Sequence, residues 1–402
     1  MQNKLIVINL MMLLLCSKAF SQDFGNLAIH GFASTGYMIS DKYNFLANTE
    51  EGTFEFNEAG INFSSLLTDD IRIGMQLYSF DLGDIGNNRI NLDWAFLDYS
   101  WKDELGIRLG KVKTPFGLYT EILDYDLLYT FALLPQSIYF RYLRDSIVSI
   151  QGFSLYGKIH IGNAGIIAYD IYNGTRNIES DGGLAKTLSI NNNIFKSGRT
   201  KKSIGSRIKY TTPLRGLTLA GSFLFTDFIY DIQQSQSSMI GITSASNTGA
   251  SMPLNVEVSY PDVTMTIFSA EYNNGNLSAS AEYQTTKSTE KIKMKTSAYG
   301  INDILIENDV DTIAYYGMLS YRFSKFFESG AYYSVYESEQ NNSVNMPGTH
   351  KDLAICTRFD INDFWLIKLE IHFMDGIMQV LDINKNRGNK WTLFACKTTF
   401  NF

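Results

Sequence analysis

His30, His160, His350 and His372 are the chain's only histidines. Hydrolysis by nucleophilic catalysis would need one of them within hydrogen-bond reach of a Ser or Cys nucleophile, with an acid or amide orienting the ring. None of the four stands in a motif that pairs it with a nucleophile. No His-Glu-x-x-His, no cysteine pair at metal-ligand spacing and no Gly-Lys-Ser/Thr phosphate loop occurs. Asp181-Gly182-Gly183 starts like a calcium loop but lacks the spaced acids that follow in one. The expectation is a protein that is not an enzyme and carries no metal or cofactor. The chemistry left to it is that of charges arrayed along alternating segments. Arg72, Arg108, Arg207, Lys209, Arg322, Arg358, Lys368 and Lys397 share the hydrophilic phase of their segments with Glu271, Glu282, Glu328, Asp360 and Glu370. Such opposed charges facing water across a narrow lumen would orient dipolar solutes and slow apolar ones.

The elements that must carry these charges are strands. Sixteen segments of strand character lie near 27–38, 53–65, 70–80, 90–101, 105–113, 147–159, 164–173, 203–211, 216–226, 263–272, 277–286, 312–323, 326–336, 351–361, 364–374 and 390–402. Each runs about 10 residues, the length a tilted membrane strand needs. Trp365, Ile367, Leu369, Ile371 and Phe373 alternate with Lys368, Glu370 and His372, and Phe394, Cys396, Thr398 and Phe400 alternate with Lys397 and Thr399. Two segments read badly. The apolar phase switches between Phe56 and Ala59, which suggests a bulge, and Met265 and Ile267 oppose Ala270 and Tyr272.

The connections alternate short and long, as in an up-and-down membrane barrel with short periplasmic turns and long external loops. The long ones fall near 39–52, 81–89, 114–146, 174–202, 227–262, 287–311, 337–350 and 375–389, and all six prolines sit in connections. The pattern predicts an all-β, transmembrane, antiparallel up-and-down β-barrel of about 16 strands, with 14 or 18 as alternatives. The third long loop, 114–146, carries Leu127, Leu128, Tyr129, Phe131, Leu133 and Leu134, which need burial. The barrel interior supplies it if the loop folds into the pore. Glu121, Asp124 and Asp126 would then lie near the constriction with Arg141 and Arg144 on its return, and Lys111 and Lys113 at its entrance.

The amino end gives an address. Lys4, the apolar run Leu5–Leu15 and Ala19-Phe20-Ser21 read as an export signal cut before Gln22, leaving 22–402 as a single barrel. Leu13-Leu14-Leu15-Cys16 resembles a lipoprotein box, but Leu15 is bulky and the later site is better. Cleavage removes Cys16. Cys356 and Cys396 then fall on opposite faces and are expected as free thiols. A net charge of −7 argues against nucleic acid as a partner.

Asn401-Phe402 ends an amphipathic strand and looks like the carboxyl-terminal signature that barrel-assembly machinery reads in the bacterial outer membrane. Gly110-Lys111-Val112-Lys113-Thr114-Pro115-Phe116-Gly117, followed by Leu134-Pro135-Gln136-Ser137, resembles a porin family related to the phosphate-selective porins. The similarity extends through Glu58–Phe63, Gly74–Leu77, Asp93–Tyr99 and Gly152–Gly157, covering roughly residues 50–160. The resemblance implies a 16-stranded barrel in outer-membrane lipid, usually a homotrimer, with the third loop in a pore for small polar or ionic solutes, phosphate among them. No phosphate site matches residue by residue. The competing functions are a non-conducting barrel serving as adhesin or anchor, and a barrel hydrolase.

Overall fold

The computed structural model describes residues 27–189, 193–234, 254–295, 304–338, 348–381 and 387–402. The export signal and Cys16 lie outside the described residues, as do Pro253 and Pro347. The strands run β1 (Leu27–Ser40), β2 (Phe56–Leu66), β3 (Ile71–Leu82), β4 (Asn91–Lys102), β5 (Leu105–Lys113), β6 (Ser149–His160), β7 (Ile166–Ile178), β8 (Asn193–Thr211) and β9 (Leu217–Gln234). They continue as β10 (Leu254–Asn274), β11 (Leu277–Lys287), β12 (Thr289–Lys295), β13 (Ile304–Asp309), β14 (Thr312–Arg322), β15 (Phe327–Ser338), β16 (Thr349–Asn362), β17 (Trp365–Asp375) and β18 (Lys390–Asn401).

Sixteen of these close a ring of antiparallel neighbours. Consecutive strands pair from β1 to β11, β11 passes to β14, and β18 returns to β1 with Phe32 opposite Asn401 and Ser40 opposite Leu393. Closure leaves the ring itself no unpaired edge. The remaining two, β12 and β13, form a hairpin that extends the sheet beyond the ring by pairing β12 with the first part of β10. At 19, 18 and 21 residues, β8, β9 and β10 far exceed the length needed to cross a bilayer. Much of the expected loops 174–202, 227–262 and 287–311 is therefore sheet. Its apolar cluster of Ile178, Phe195, Tyr230, Ile232, Val256 and Val258 also holds Ala185, from the short helix α1 (Gly183–Leu188).

The alternation of the last two strands is as expected. Lys368, Glu370, His372, Lys397 and Thr399 are buried inside, while Leu369, Phe373, Phe394 and Phe400 are exposed outside. Both ambiguous segments share one physical cause. Phe56 is buried in an interior apolar cluster, and the β2–β3 register runs from Phe56 to Leu66 without a shift, so the expected bulge is absent. Ile267 is fully buried, and Met265 packs against the same interior cluster. Apolar residues point inward at these places because protein, rather than water, fills that part of the barrel. Pro261 also departs from expectation. It lies within β10, at the register shift between Tyr260 and Val263, where a missing N–H costs no ladder bond.

Candidate functional site, a loop latched inside the barrel

The third loop occupies the interior. Three glycines on adjacent strands, Gly110, Gly152 and Gly174, stand opposite one another where the wall leads into it. A Cβ at Gly152 would lie 2.0 Å from the Asn173 carbonyl oxygen, and Gly110 has φ +133. Side chains are excluded from this row by the neighbouring backbone.

From there the loop crosses to the far wall through a series of polar joints. On the near side the Gly117 N–H donates to Ser222 Oγ (3.1 Å) and the Leu118 N–H to Glu282 Oε1 (2.9 Å). Glu282 also accepts from the Tyr139 and Tyr316 hydroxyls. Arg207 bridges Glu121 of the loop (2.6 Å) and Asp170 of β7 (2.9 Å). At the tip, Asp126 Oδ2 lies 2.7 Å from Lys397 Nζ and accepts from Thr399 Oγ1 (2.6 Å), and its Oδ1 is 3.4 Å from Lys368 Nζ. Lys368 also donates to the Phe131 carbonyl (2.8 Å). Arg358 donates to the carbonyls of Leu127 (2.9 Å) and Tyr129 (3.1 Å), and the Ala132 and Leu133 N–H groups donate to Glu370 Oε2. On the return, Arg144 pairs with Asp93 of β4 (2.9 Å) and Asp124 (Nε to Oδ1, 2.7 Å), and Arg141 pairs with Glu58 of β2.

Buried charge of this kind persists only where partners and hydrogen bonds compensate desolvation. Burial by itself would raise the Asp124 and Asp126 carboxyls. The charges of Arg144 in one case, and of Lys397 and Lys368 in the other, outweigh burial and hold both well below the usual carboxylate range. Glu121 is likewise lowered against burial by Arg207. Asp145 is raised instead, because burial, with Asp93 and Glu179 nearby, outweighs the charges of Arg144 and Lys111.

The residues expected near the constriction thus divide. Asp124, Asp126, Arg141, Arg144, Arg358, Lys368, Glu370 and Lys397 are joined in the loop-to-wall latch and are largely buried. Lys113 Nζ donates to the Glu121 carbonyl, and Lys111 Nζ donates to the Leu92 carbonyl beside a cavity. Arg72 and Arg108 share Asp98 on the wall, and Arg322 bridges Glu328 and Asp360. Lys209 stands between Ala168 and Ala220 on neighbouring strands. The loop's apolar residues also divide. Tyr129, Phe131, Leu133 and Leu134 are buried, whereas Leu127 and Leu128 are exposed and line a second cavity of about 200 Å3 with Arg322 and Arg358. Glu58, Asp93, Asp98, Asp170 and Arg176 were not anticipated. Glu58 was hidden by the supposed bulge. Asp93 is turned toward Arg144 where the β3–β4 register shifts after Gln76.

His372 Nδ1 lies 3.0 Å from Asp352 Oδ2 and its Nε2 is 3.4 Å from Glu370. The ring is fully buried, and the sulfur of Cys356 donates to the Thr130 carbonyl rather than to a histidine. Cys356 and Cys396 are both free.

No family model and no curated protein matches the chain. Solved structures do. OmpT of Vibrio cholerae, expressed in the outer membrane, is similar at TM-score 0.59 with 10% identity over 95% of this chain and 99% of that one. The outer-membrane channel DcaP of Acinetobacter baumannii gives 0.56 with 9% identity over 95% and 99%. An anion-selective porin from Comamonas acidovorans gives 0.55 with 14% identity over 94% and 99%. At these identities the likeness is one of fold, a closed 16-stranded antiparallel barrel of the porin type.

Proposed function

We propose that this chain is an outer-membrane porin, passing small polar or ionic solutes through the space its third loop leaves open. The observation that carries this reading is a loop held by ion pairs inside a closed barrel whose outward strand faces are apolar. Exposed aromatics near the short turns, Trp101, Phe323, Phe326, Phe364 and Phe402, suit the interfacial girdle of a membrane barrel. Cavities of about 220 and 200 Å3 flank the loop, the first toward the long connections and the second toward the short turns. Export through residues 1–21, assembly through the strand ending in Phe402 and a homotrimeric state accompany this proposal, as does the absence of catalysis. The similar structures include a channel and an anion-selective porin, which supports passage. The sign of selectivity does not follow, because the wall and loop charges largely neutralise one another.

One observation favours a second reading, a non-conducting barrel. Phe131, Leu133 and Tyr332 are fully buried within the interior, so the loop fills much of the cross-section. Swelling of proteoliposomes in isotonic sugars of increasing size separates the two. A porin admits the smaller sugars with a size cutoff, whereas an anchor leaves the vesicles unswollen with all of them.

A further inference from the structure

On the outside of the barrel, β8 carries a run of cations that the latch does not use. Lys196, Arg199, Lys201 and Lys202 are all exposed, and none has an ion-pair partner among the described residues. A β-bulge brings the last two together. From Arg199 to Ser203, four steps along β8 meet three along β9, from Ile229 to Thr226. Against β7, the three steps from Thr200 to Ser203 meet two, from Arg176 to Gly174. The extra residue breaks the alternation. Two adjacent lysines therefore stand exposed between Thr200 and Ser203, which are buried. Asp227 of β9 holds the bulge, because its Oδ1 accepts the backbone N–H groups of Lys201 (2.7 Å) and Lys202 (2.9 Å). Arg199 stands between Asn177 and Ile229, neither of them acidic. Lys202 Nζ lies 4.9 Å from the centre of the Phe225 ring.

The height of the cluster gives it a meaning. Residues 202–211 separate it from the short turn after Thr211, about the 10 residues a tilted strand needs to cross a bilayer. Along that stretch Ile204 and Ile208 are exposed, as is Phe223 on β9. The cations thus begin where the apolar band ends, on the side of the long connections. We propose that Arg199, Lys201 and Lys202 bind a phosphate-bearing anionic lipid in that leaflet. At about 3.3 Å per residue the three span about 10 Å of strand, so their long side chains can converge on one headgroup. Ammonium and guanidinium groups suit its phosphate, and clustered cations beside an apolar span attract anionic headgroups. Its acyl chains would lie along Ile204, Ile208 and Phe223. A free anion would gain the charges but leave that apolar surface unused. The proposal needs the barrel in a membrane but not its conductance, so its failure and that of the porin reading are separate results.

Native mass spectrometry of the full-length protein folded in detergent counts bound lipid directly. The probes are phosphatidylglycerol and phosphatidylcholine with the same acyl chains. Phosphatidylglycerol is expected to bind about tenfold or more tightly than phosphatidylcholine. Lys201→Gln combined with Lys202→Gln is expected to remove most of that preference, since each cation near an anionic headgroup contributes several-fold. Lys287 and Lys351, single exposed lysines on β11 and β16, provide the charge-matched control. Lys287→Gln combined with Lys351→Gln is expected to keep the preference. Excess inorganic phosphate, against chloride at matched ionic strength, is expected to leave the lipid bound. Should the Lys201 and Lys202 double variant fail to fold, as judged by circular dichroism, Arg199→Gln carries the test and is expected to weaken phosphatidylglycerol binding several-fold. Equal binding of the two lipids, an unchanged preference in the folded cluster variants, an equal loss in the control, or displacement by phosphate would overturn the proposal.

Discussion

The ammonium of Lys397, on the strand that closes the barrel, lies 2.7 Å from the carboxylate of Asp126 at the tip of the third loop. Lys368 on the neighbouring strand approaches the other oxygen of the same carboxylate. One loop residue is thus tied to two adjacent wall strands, and the residues that look like pore charges in sequence serve largely to hold the loop across the lumen.

Removing that carboxylate leaves the buried ammonium of Lys368 without an ion-pair partner among the described residues, while Lys397 keeps Glu58. Asp126→Ala should favour release of the loop tip by about 3–5 kcal/mol, the range for breaking a buried pair on one side. The check is limited proteolysis of the detergent-folded protein, with cleavage between Leu127 and Leu134 appearing in the variant. A variant as resistant as the parent would mean that apolar packing of Tyr129 and Phe131 holds the loop without Asp126.

Acid should loosen the same joint. A carboxyl whose folded value is depressed contributes stability that is fully present above its unfolded value, about 4 for Asp. That contribution is lost as pH falls through the lower folded value. Asp124 and Asp126 both lie on that side. The thermal midpoint of the parent should hold near pH 5 and fall steadily below about pH 4. Asp126→Asn, which has lost the contribution at every pH, should show a lower midpoint near pH 5 and a shallower fall. Parallel curves for parent and variant would show that Asp126 does not ionise abnormally.

The seam of the barrel makes a separate prediction. The Gly31 N–H donates to the Phe402 carbonyl and the Phe402 N–H to the Gly31 carbonyl, and a Cβ on Gly31 would lie 2.3 Å from the Phe402 ring. Gly31→Leu should slow barrel closure, read as a smaller heat-modifiable folded fraction on refolding. Combining it with Phe402→Ala should recover folding in vitro only in part, because the ring is removed but the Gly60 carbonyl oxygen, 2.9 Å from the same Cβ, stays. No recovery in the double variant would place the defect elsewhere.

Much of the wall was legible in the sequence, because a lipid-facing strand has to alternate. β17 and β18 show this from Trp365 to Phe400. The inward loop was legible from its apolar residues, which no external loop needs. The failures have a single source. Period-2 reasoning assumes water inside the barrel, yet Phe56, Met265 and Ile267 pack against protein there. The extensions in β8–β10 and the β12–β13 hairpin escaped notice for a related reason. Outside the membrane a strand such as Thr289–Lys295 has no lipid face to announce it. Nor could sequence reveal which charges pair. Arg141 finds Glu58 and Lys397 finds Asp126 only once the loop is inside.

Lys111 remains open to solute beside the larger cavity, whereas Lys113 is engaged with the Glu121 carbonyl. Lys111→Glu should therefore move the zero-current potential toward cation preference with the loop intact. Lys113→Glu should also raise the noise of the open state, since it removes a loop contact. Bilayer recordings in a salt gradient check both. Unchanged potentials would place neither lysine on the ion path.

The central claim, a conducting barrel narrowed by its own third loop, is tested most directly by planar-bilayer recording of the purified protein. The account predicts discrete conductance steps that become larger in Asp126→Ala, where the loop tip is freed. Current that stays at the bare-bilayer level with folded protein inserted, in parent and variant alike, would contradict it.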